Sequence, residues 1–195
     1  MKSKIQGLFE YYSNIYARFD LFFDKPEGAL VFSELNRISE LFKELQEKEV
    51  IFPGQSFLEA GSGDGRVVAL ASFFGFQSYG IELGENLAIE SIGNISTLVQ
   101  KKILYNKPKI IQGNFLEENP YKRLGKPFSE FDIIFNYHTA VKELILKVES
   151  DSKKDRILIL YLIRENAYKI NNFDLIFTKS LSNIFNESIF VYRRL

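Results

Sequence analysis

Apolar residues at Ile5, Leu8, Phe9, Tyr12, Ile15, Tyr16, Phe19, Phe22 and Phe23 recur three and four positions apart, the stripe of an amphipathic helix. The segment "DKPEG" at 24–28 breaks that stripe. Leu30, Val31, Leu35, Ile38, Leu41, Phe42 and Leu45 then repeat the helical spacing with Glu and Lys between them, and "FPGQ" at 52–55 reads as a turn. The first fifty residues therefore predict two helices ahead of the main fold.

The rhythm then changes. "SFLEA" is a short apolar strand, Gly65 to Gly75 fits a helix, and "QSYGIE" is a second strand. Asn86 to Lys102 carries apolar residues at helical spacing, "KIIQG" at 109–113 reads as a third strand, and "FDIIFNY" at 131–137 as a fourth. A helix over Ala140 to Val148 leads to "RILILYLI" at 156–163, a continuously apolar fifth strand of the kind buried on both faces. "FDLIFTKS" and "SIFVYRRL" follow with no long helix between them and predict a closing hairpin. Alternation of strand and helix from 57 to about 163 predicts an α/β fold. We expect a doubly wound, Rossmann-like, mostly parallel seven-stranded sheet with an antiparallel terminal hairpin, preceded by the two helices. In such sheets ligands bind beyond the carboxyl ends of the strands, where strand order reverses. Glu59 to Gly65, Glu82, Gly113 to Phe115 and Asn136 to His138 all fall at predicted strand ends, so four segments should meet on one edge.

Composition narrows the partners. The chain has 195 residues, enough for one core with a small appendage. Lys+Arg and Asp+Glu both number 25, so no strong attraction to nucleic acid is expected. The absence of Cys excludes disulfides, thiolate metal sites and a Cys nucleophile, and fits a reducing compartment. His138 is the single His and cannot build a metal cluster by itself, so no metal is expected. The longest uncharged run, Val67 to Ile81, is shorter than the about 20 apolar residues that span a bilayer. No signal-peptide core is visible near the N-terminus, and a cytoplasmic protein without membrane insertion is expected.

The candidate chemistry lies in "FLEAGSGDGRVVALASFFGFQSYGIE" at 57–82. Gly61, Gly63 and Gly65 keep side chains away from a ligand and tolerate positive φ. A helix opening near Gly65 should turn free amide N–H groups into the site. The dinucleotide pattern G-x-G-x-x-G would need a glycine where Arg66 stands, which disfavours a nicotinamide-dependent oxidoreductase, and the phosphate-loop pattern lacks its Lys-Ser or Lys-Thr pair. Glu82, at the end of the second strand, is placed to accept hydrogen bonds from two ribose hydroxyls, with Leu83 beside it. An acid near the loop would repel a pyrophosphate and suit a ligand carrying an ammonium or a sulfonium.

At these residues the sequence resembles the class I, seven-strand S-adenosylmethionine-dependent methyltransferases. "FLEAGSGDGR" looks like their first motif, "YGIEL" like the second, "QGNF" at 112–115 like the adenine-edge motif, and "FDIIFNY" like the fourth-strand motif. G-S-G-D-G-R followed by "G-I-E" is similar, more narrowly, to the small lysine methyltransferases of archaea and mitochondria. Glu59 and Asn114 depart from the family, which usually has Asp at both places. The resemblance implies S-adenosyl-L-methionine as cofactor, held by Glu59, Gly61, Ser62, Gly63, Asp64, Gly65, Glu82, Leu83, Asn114, Phe115 and Asn136. It implies residues 1–50 as a helical extension and 51–195 as the methyltransferase domain. Asn136 and Tyr137 are the catalytic candidates. The Asn136 side-chain oxygen could accept a hydrogen bond from an incoming amine, and Tyr137 could wall a channel. The favoured acceptor is a lysine of a protein substrate. The alternatives are a small molecule or RNA as acceptor, or a non-catalytic cofactor-binding partner subunit, kept open by Asn114 and the unconventional "NYHT" at 136–139.

Overall fold

The computed structural model describes residues 2–16, 34–151, 153–163, 166–181 and 186–195. Two helices, α1 (Lys2–Tyr16) and α2 (Leu35–Glu47), precede the sheet. The predicted positions Phe19, Phe22, Phe23, Leu30 and Val31, and the break at 24–28, lie outside the described residues. The chain then runs β1 (Ser56–Ala60), α3 (Arg66–Phe73), β2 (Gln77–Glu82), α4 (Glu85–Gln100) and β3 (Lys109–Gln112). It continues through α5 (Asn119–Leu124), β4 (Ile133–Tyr137), α6 (Val141–Ser150), β5 (Ile157–Ile163), β6 (Phe173–Leu181) and β7 (Glu187–Arg194).

These strands form one seven-stranded sheet in the order β3-β2-β1-β4-β5-β7-β6. Strands β1 to β5 pair in parallel, while β7 pairs antiparallel with both β5 and β6, which makes the expected terminal hairpin. From β1 the chain builds outward through β2 and β3, then returns to β4 on β1's other side. The reversal of strand order thus falls between β1 and β4.

Pleating explains why the central strands are apolar throughout. Phe57, Ile133, Phe135, Ile157, Ile159, Tyr161, Ile189 and Val191 pack on one face with α1, α2 and α3. Their chain neighbours Leu58, Ile134, Leu158, Leu160, Phe190 and Tyr192 pack on the other with α5 and α6. α1 and α2 share the first of these cores through Leu8, Tyr12, Ile38, Leu41, Phe42 and Leu45. No described helix is long and apolar enough to cross a membrane.

Two elements go beyond the sequence expectation. α5 is a short helix opened by Pro120 near its first residue and closed by Gly125 at φ 71°, and a 3₁₀ turn follows at Phe128–Glu130. The buried Arg156 organises the stretch after α5, with Nε on the Phe131 carbonyl at 3.1 Å, Nη2 on the Phe128 carbonyl at 3.0 Å and Nη1 3.0 Å from Asp151.

At the middle of the first core the Phe57 ring sits 5.7 Å from Phe42, 6.1 Å from Phe76 and 6.2 Å from Phe135. Phe57→Ala should empty the space beneath β1 and lower stability by about 3–5 kcal/mol in a denaturant titration.

Candidate functional site

The glycine loop joins β1 to α3 at the reversal point. Gly61, Gly63 and Gly65 have φ of 84°, 52° and 81°, all in the left-handed region. Contrary to the sequence expectation, these glycines and Ser62 do not present open amides. Gly61 and Ser62 donate to the Ile81 carbonyl at 3.0 and 3.1 Å, and Gly65 donates to the Ser62 carbonyl at 2.9 Å. Gly63 donates to Glu82 Oε2 at 2.7 Å. The loop is therefore laced to the end of β2 rather than held open.

Several side chains of the loop turn inward. Ser62 is buried against β2, where a Cβ added at Gly80 would meet its Cβ and Oγ at 2.8 Å. Asp64 is buried in a two-point pair with Arg66, Nε to Oδ1 at 2.9 Å and Nη2 to Oδ2 at 2.6 Å. Glu59 is buried too, and its Oε2 accepts the Val68 amide of the first turn of α3 at 3.1 Å. Burial, joined by the Asp64 charge, pushes the Glu59 carboxyl well above the ordinary glutamate range, against the Val68 hydrogen bond. Of the acids around the loop, Asp64 is thus paired with Arg66 and burial disfavours the charged form of Glu59, which leaves Glu82 as the acid that fits the expectation of a cationic ligand.

Glu82 ends β2 and receives two amides, Gly63 on Oε2 at 2.7 Å and Gly84 on Oε1 at 2.9 Å. Leu83, next to it, is 66% exposed. After β3, Asn114 makes a side-chain turn in which Oδ1 accepts the Leu116 amide at 3.0 Å, while Nδ2 lies 3.4 Å from Glu117. The buried Phe115 brings its ring to the loop: a Cβ added at Gly61 would lie 3.9 Å from Phe115 Cε1 and 3.6 Å from Thr139 Cβ. The ends of β1, β2, β3 and β4 thus meet around Gly61 and Gly63.

The fourth segment corrects the sequence reading most. Asn136 is fully buried; its Nδ2 donates to the Ala60 carbonyl at 2.7 Å and the Thr139 carbonyl at 2.9 Å, and its Oδ1 accepts the Thr139 amide at 3.2 Å. The oxygen expected to meet an incoming amine instead accepts the Thr139 amide, while the side-chain nitrogen ties the turn after β4 to Ala60 of β1. Tyr137 faces the α2 side, buried, with its ring 4.8 Å from Tyr161 and its hydroxyl donating to Glu187 at 3.0 Å. In this conformation it is not an open channel wall. The residues that do come out after β4 are His138, Thr139 and Ala140. His138 at φ 50° and Ala140 at φ 46° both hold the left-handed conformation without being glycine. Gly84, Arg66 and Thr139 take part in this geometry but were not singled out as site residues from the sequence; Arg66 was visible there as the residue that breaks the dinucleotide pattern and ends the first motif. Among the described residues, no group of three or more His, Cys, Asp or Glu gathers as a metal site.

Comparison with known proteins places this geometry. No protein-family model matches the chain, and no curated protein matches it. Solved structures do. An RNA methyltransferase from Salinibacter ruber in complex with S-adenosyl-L-homocysteine superposes with a TM-score of 0.61 at 15% identity, over 84% of this chain and 94% of that one. The magnesium protoporphyrin IX methyltransferase of Synechocystis with bound S-adenosylmethionine gives 0.61 at 16% identity, over 100% and 98%. A mutant of MtNAS in complex with S-adenosylmethionine gives 0.63 at 14% identity, over 99% and 71%. The chain has the class I methyltransferase fold.

Two expectations follow. Because Glu59 holds its proton more tightly folded than unfolded, it stabilises most at pH below its ordinary value of 4.5, and that stability is lost as pH rises toward its raised folded value. Glu59→Gln keeps an acceptor for Val68 and removes the titration, so stability should vary less with pH than in the parent from 4.5 up to that raised value, which denaturant titrations across pH would check. Asn136→Ala leaves the Ala60 carbonyl and the Thr139 backbone without partners and should cost about 1–3 kcal/mol in thermal or denaturant unfolding.

Proposed function

We propose that this protein transfers a methyl group from S-adenosylmethionine to an acceptor. The observation that carries the reading is the Glu82 carboxylate, fixed by two backbone amides at the reversal of strand order, beside a loop of left-handed glycines. The solved relatives with this fold that hold S-adenosylmethionine or S-adenosylhomocysteine support the same cofactor here.

The residues fit its parts. An ionised carboxylate offers about four lone-pair sites, and the Gly63 and Gly84 amides use one on each oxygen of Glu82, which leaves capacity for two ribose hydroxyls. Exposed Leu83 and the Phe115 ring supply apolar surface for a base. With Asn114 Oδ1 committed to Leu116, Nδ2 is the group suited to an adenine edge. Gly61 and Gly63 allow an amino-acid tail to approach the backbone. When bound, the cofactor supplies a methyl group already activated by a positive sulfur. The protein's task is then alignment, which contributes up to about 7–11 kcal/mol in favourable cases. Asn136 serves it indirectly, by fixing the turn that carries His138 and Thr139 out beside Gly61.

A protein lysine is our reading of the acceptor, supported by the G-S-G-D-G-R resemblance and by a net charge of zero, which does not favour RNA. A small-molecule or RNA acceptor is the second reading. It is favoured by the inward Asn136 and by the acceptors in the solved relatives' names, an RNA and a magnesium porphyrin.

Calorimetry should show binding of S-adenosylmethionine and none of NAD, and Glu82→Ala should weaken that binding about ten- to a hundred-fold, as expected for lost charged hydrogen bonds. Binding of NAD alone would end the cofactor reading. With labelled methyl donor and a cell lysate, label in protein that survives nuclease supports lysine. Label only in RNA or small molecules moves the acceptor to the second reading, and no transfer despite binding leaves a non-catalytic binder.

A further inference from the structure

We infer that α1 is a positioning element for the cofactor, acting on the glycine loop through Tyr11 and Asn94. The inference rests on the cofactor reading above. The Tyr11 hydroxyl donates to Asn94 Oδ1 at 3.0 Å, and Asn94 Nδ2 donates to the Asp64 backbone carbonyl at 3.1 Å. Asp64 stands between Gly63 and Gly65, so this relay from α1 ends at the centre of the loop.

The relay has a direction. Asn94 is 7% exposed on α4, so its carboxamide has little water to turn to. Flipped, it would set its oxygen against the Asp64 carbonyl, two acceptors face to face. The Asp64 carbonyl, which can only accept, sets this orientation, and the Tyr11 hydroxyl secures it by donating to the amide oxygen that remains.

The next residue grips the same loop position from another side. The Tyr12 ring lies 5.4 Å from the Arg66 guanidinium, which in turn holds the Asp64 carboxylate. The two tyrosine rings stand edge to face, 5.3 Å apart. Consecutive residues of α1 therefore fix Asp64 through its carbonyl and through its carboxylate. A loop with glycines at three alternate positions has the most conformational freedom to lose, so such restraint counts there. A ligand that needs the loop ordered binds better when α1 is docked, and by linkage its binding strengthens the docking of α1.

The test uses the whole chain and four variants: Tyr11→Phe, Asn94→Asp, the pair together, and Lys4→Ala. The last removes only the exposed contact of α1 with Tyr105. By calorimetry with S-adenosylmethionine, Tyr11→Phe should weaken binding about three- to ten-fold. Asn94→Asp should weaken it at least as much, and the pair no further than Asn94→Asp, since Tyr11 acts through Asn94. In turnover the loss should appear in KM for the cofactor and not in kcat. Hydrogen exchange in residues 2–16 should slow when the cofactor is added. Parent and Tyr11→Phe binding equally, additive effects in the pair, or Lys4→Ala weakening binding as much as Tyr11→Phe would each overturn the relay. If the parent binds no S-adenosylmethionine, the cofactor reading fails separately. The relay is then judged without ligand, by faster exchange at residues 61–66 in Tyr11→Phe than in the parent, and equal exchange overturns it.

Discussion

A single carboxylate accepting one amide from each of two loops ties the rim together. Glu82 takes Gly63 from the loop after β1 and Gly84 from the loop after β2, so the two strand ends cannot part without leaving an acidic group short of donors. Such charge-assisted bonds are about twice as strong as neutral ones. They also require close approach, and the neighbouring glycines allow it. A Cβ at Gly80 would come within 2.8 Å of Ser62 and 2.9 Å of Val68, and one at Gly65 within 2.3 Å of Ser91 Oγ. The glycines thus serve the packing of the loop on β2 and α4 as much as the approach of a ligand.

Beneath the loop, charge is handled in two ways. Asp64 and Arg66 form a buried pair with two short contacts, the geometry in which mutual attraction best offsets lost hydration. Among the described residues Glu59 has no cation at hydrogen-bond distance; burial favours its neutral form, and the carboxyl caps α3 from a distance by taking the Val68 amide. An acid one methylene longer than Asp suits this reach from β1 across the loop. The three acids around the loop thus differ in their partners: Asp64 is paired with Arg66, Glu59 with the Val68 amide, and Glu82 with the Gly63 and Gly84 amides.

The sheet was legible because parallel strands covered on both faces must be apolar at every position, as "RILILYLI" is, and because the glycines punctuate β1 from α3. The convergence of four strand ends followed from topology alone. What the sequence could not convey was the direction of individual side chains. Ser62, Asp64 and Glu59 lie at the right chain positions, yet loop dihedrals and strand parity turn all three inward. Asn136 and Tyr137 are adjacent, so pleating sends them to opposite faces, and neither opens outward. α5 escaped notice because a helix of six residues, with Pro120 inside its start and Gly125 after its end, carries no readable period, and Arg156 looked like the edge of a strand although it is a fully buried anchor for the 128–131 stretch.

The turn after β4 shows what the buried Asn136 holds in place. Left-handed dihedrals at His138 and Ala140 cost on the order of 1–3 kcal/mol each and persist only where the surroundings impose them. Here they are imposed from several sides. Asn136 holds both backbone groups of Thr139, the Thr139 hydroxyl returns to the Tyr137 carbonyl at 3.1 Å, and the His138 amide donates to the Tyr161 carbonyl at 3.1 Å. The turn stands beside the glycine loop, where Thr139 approaches Gly61. Asn136 thereby determines where Thr139 stands relative to Gly61.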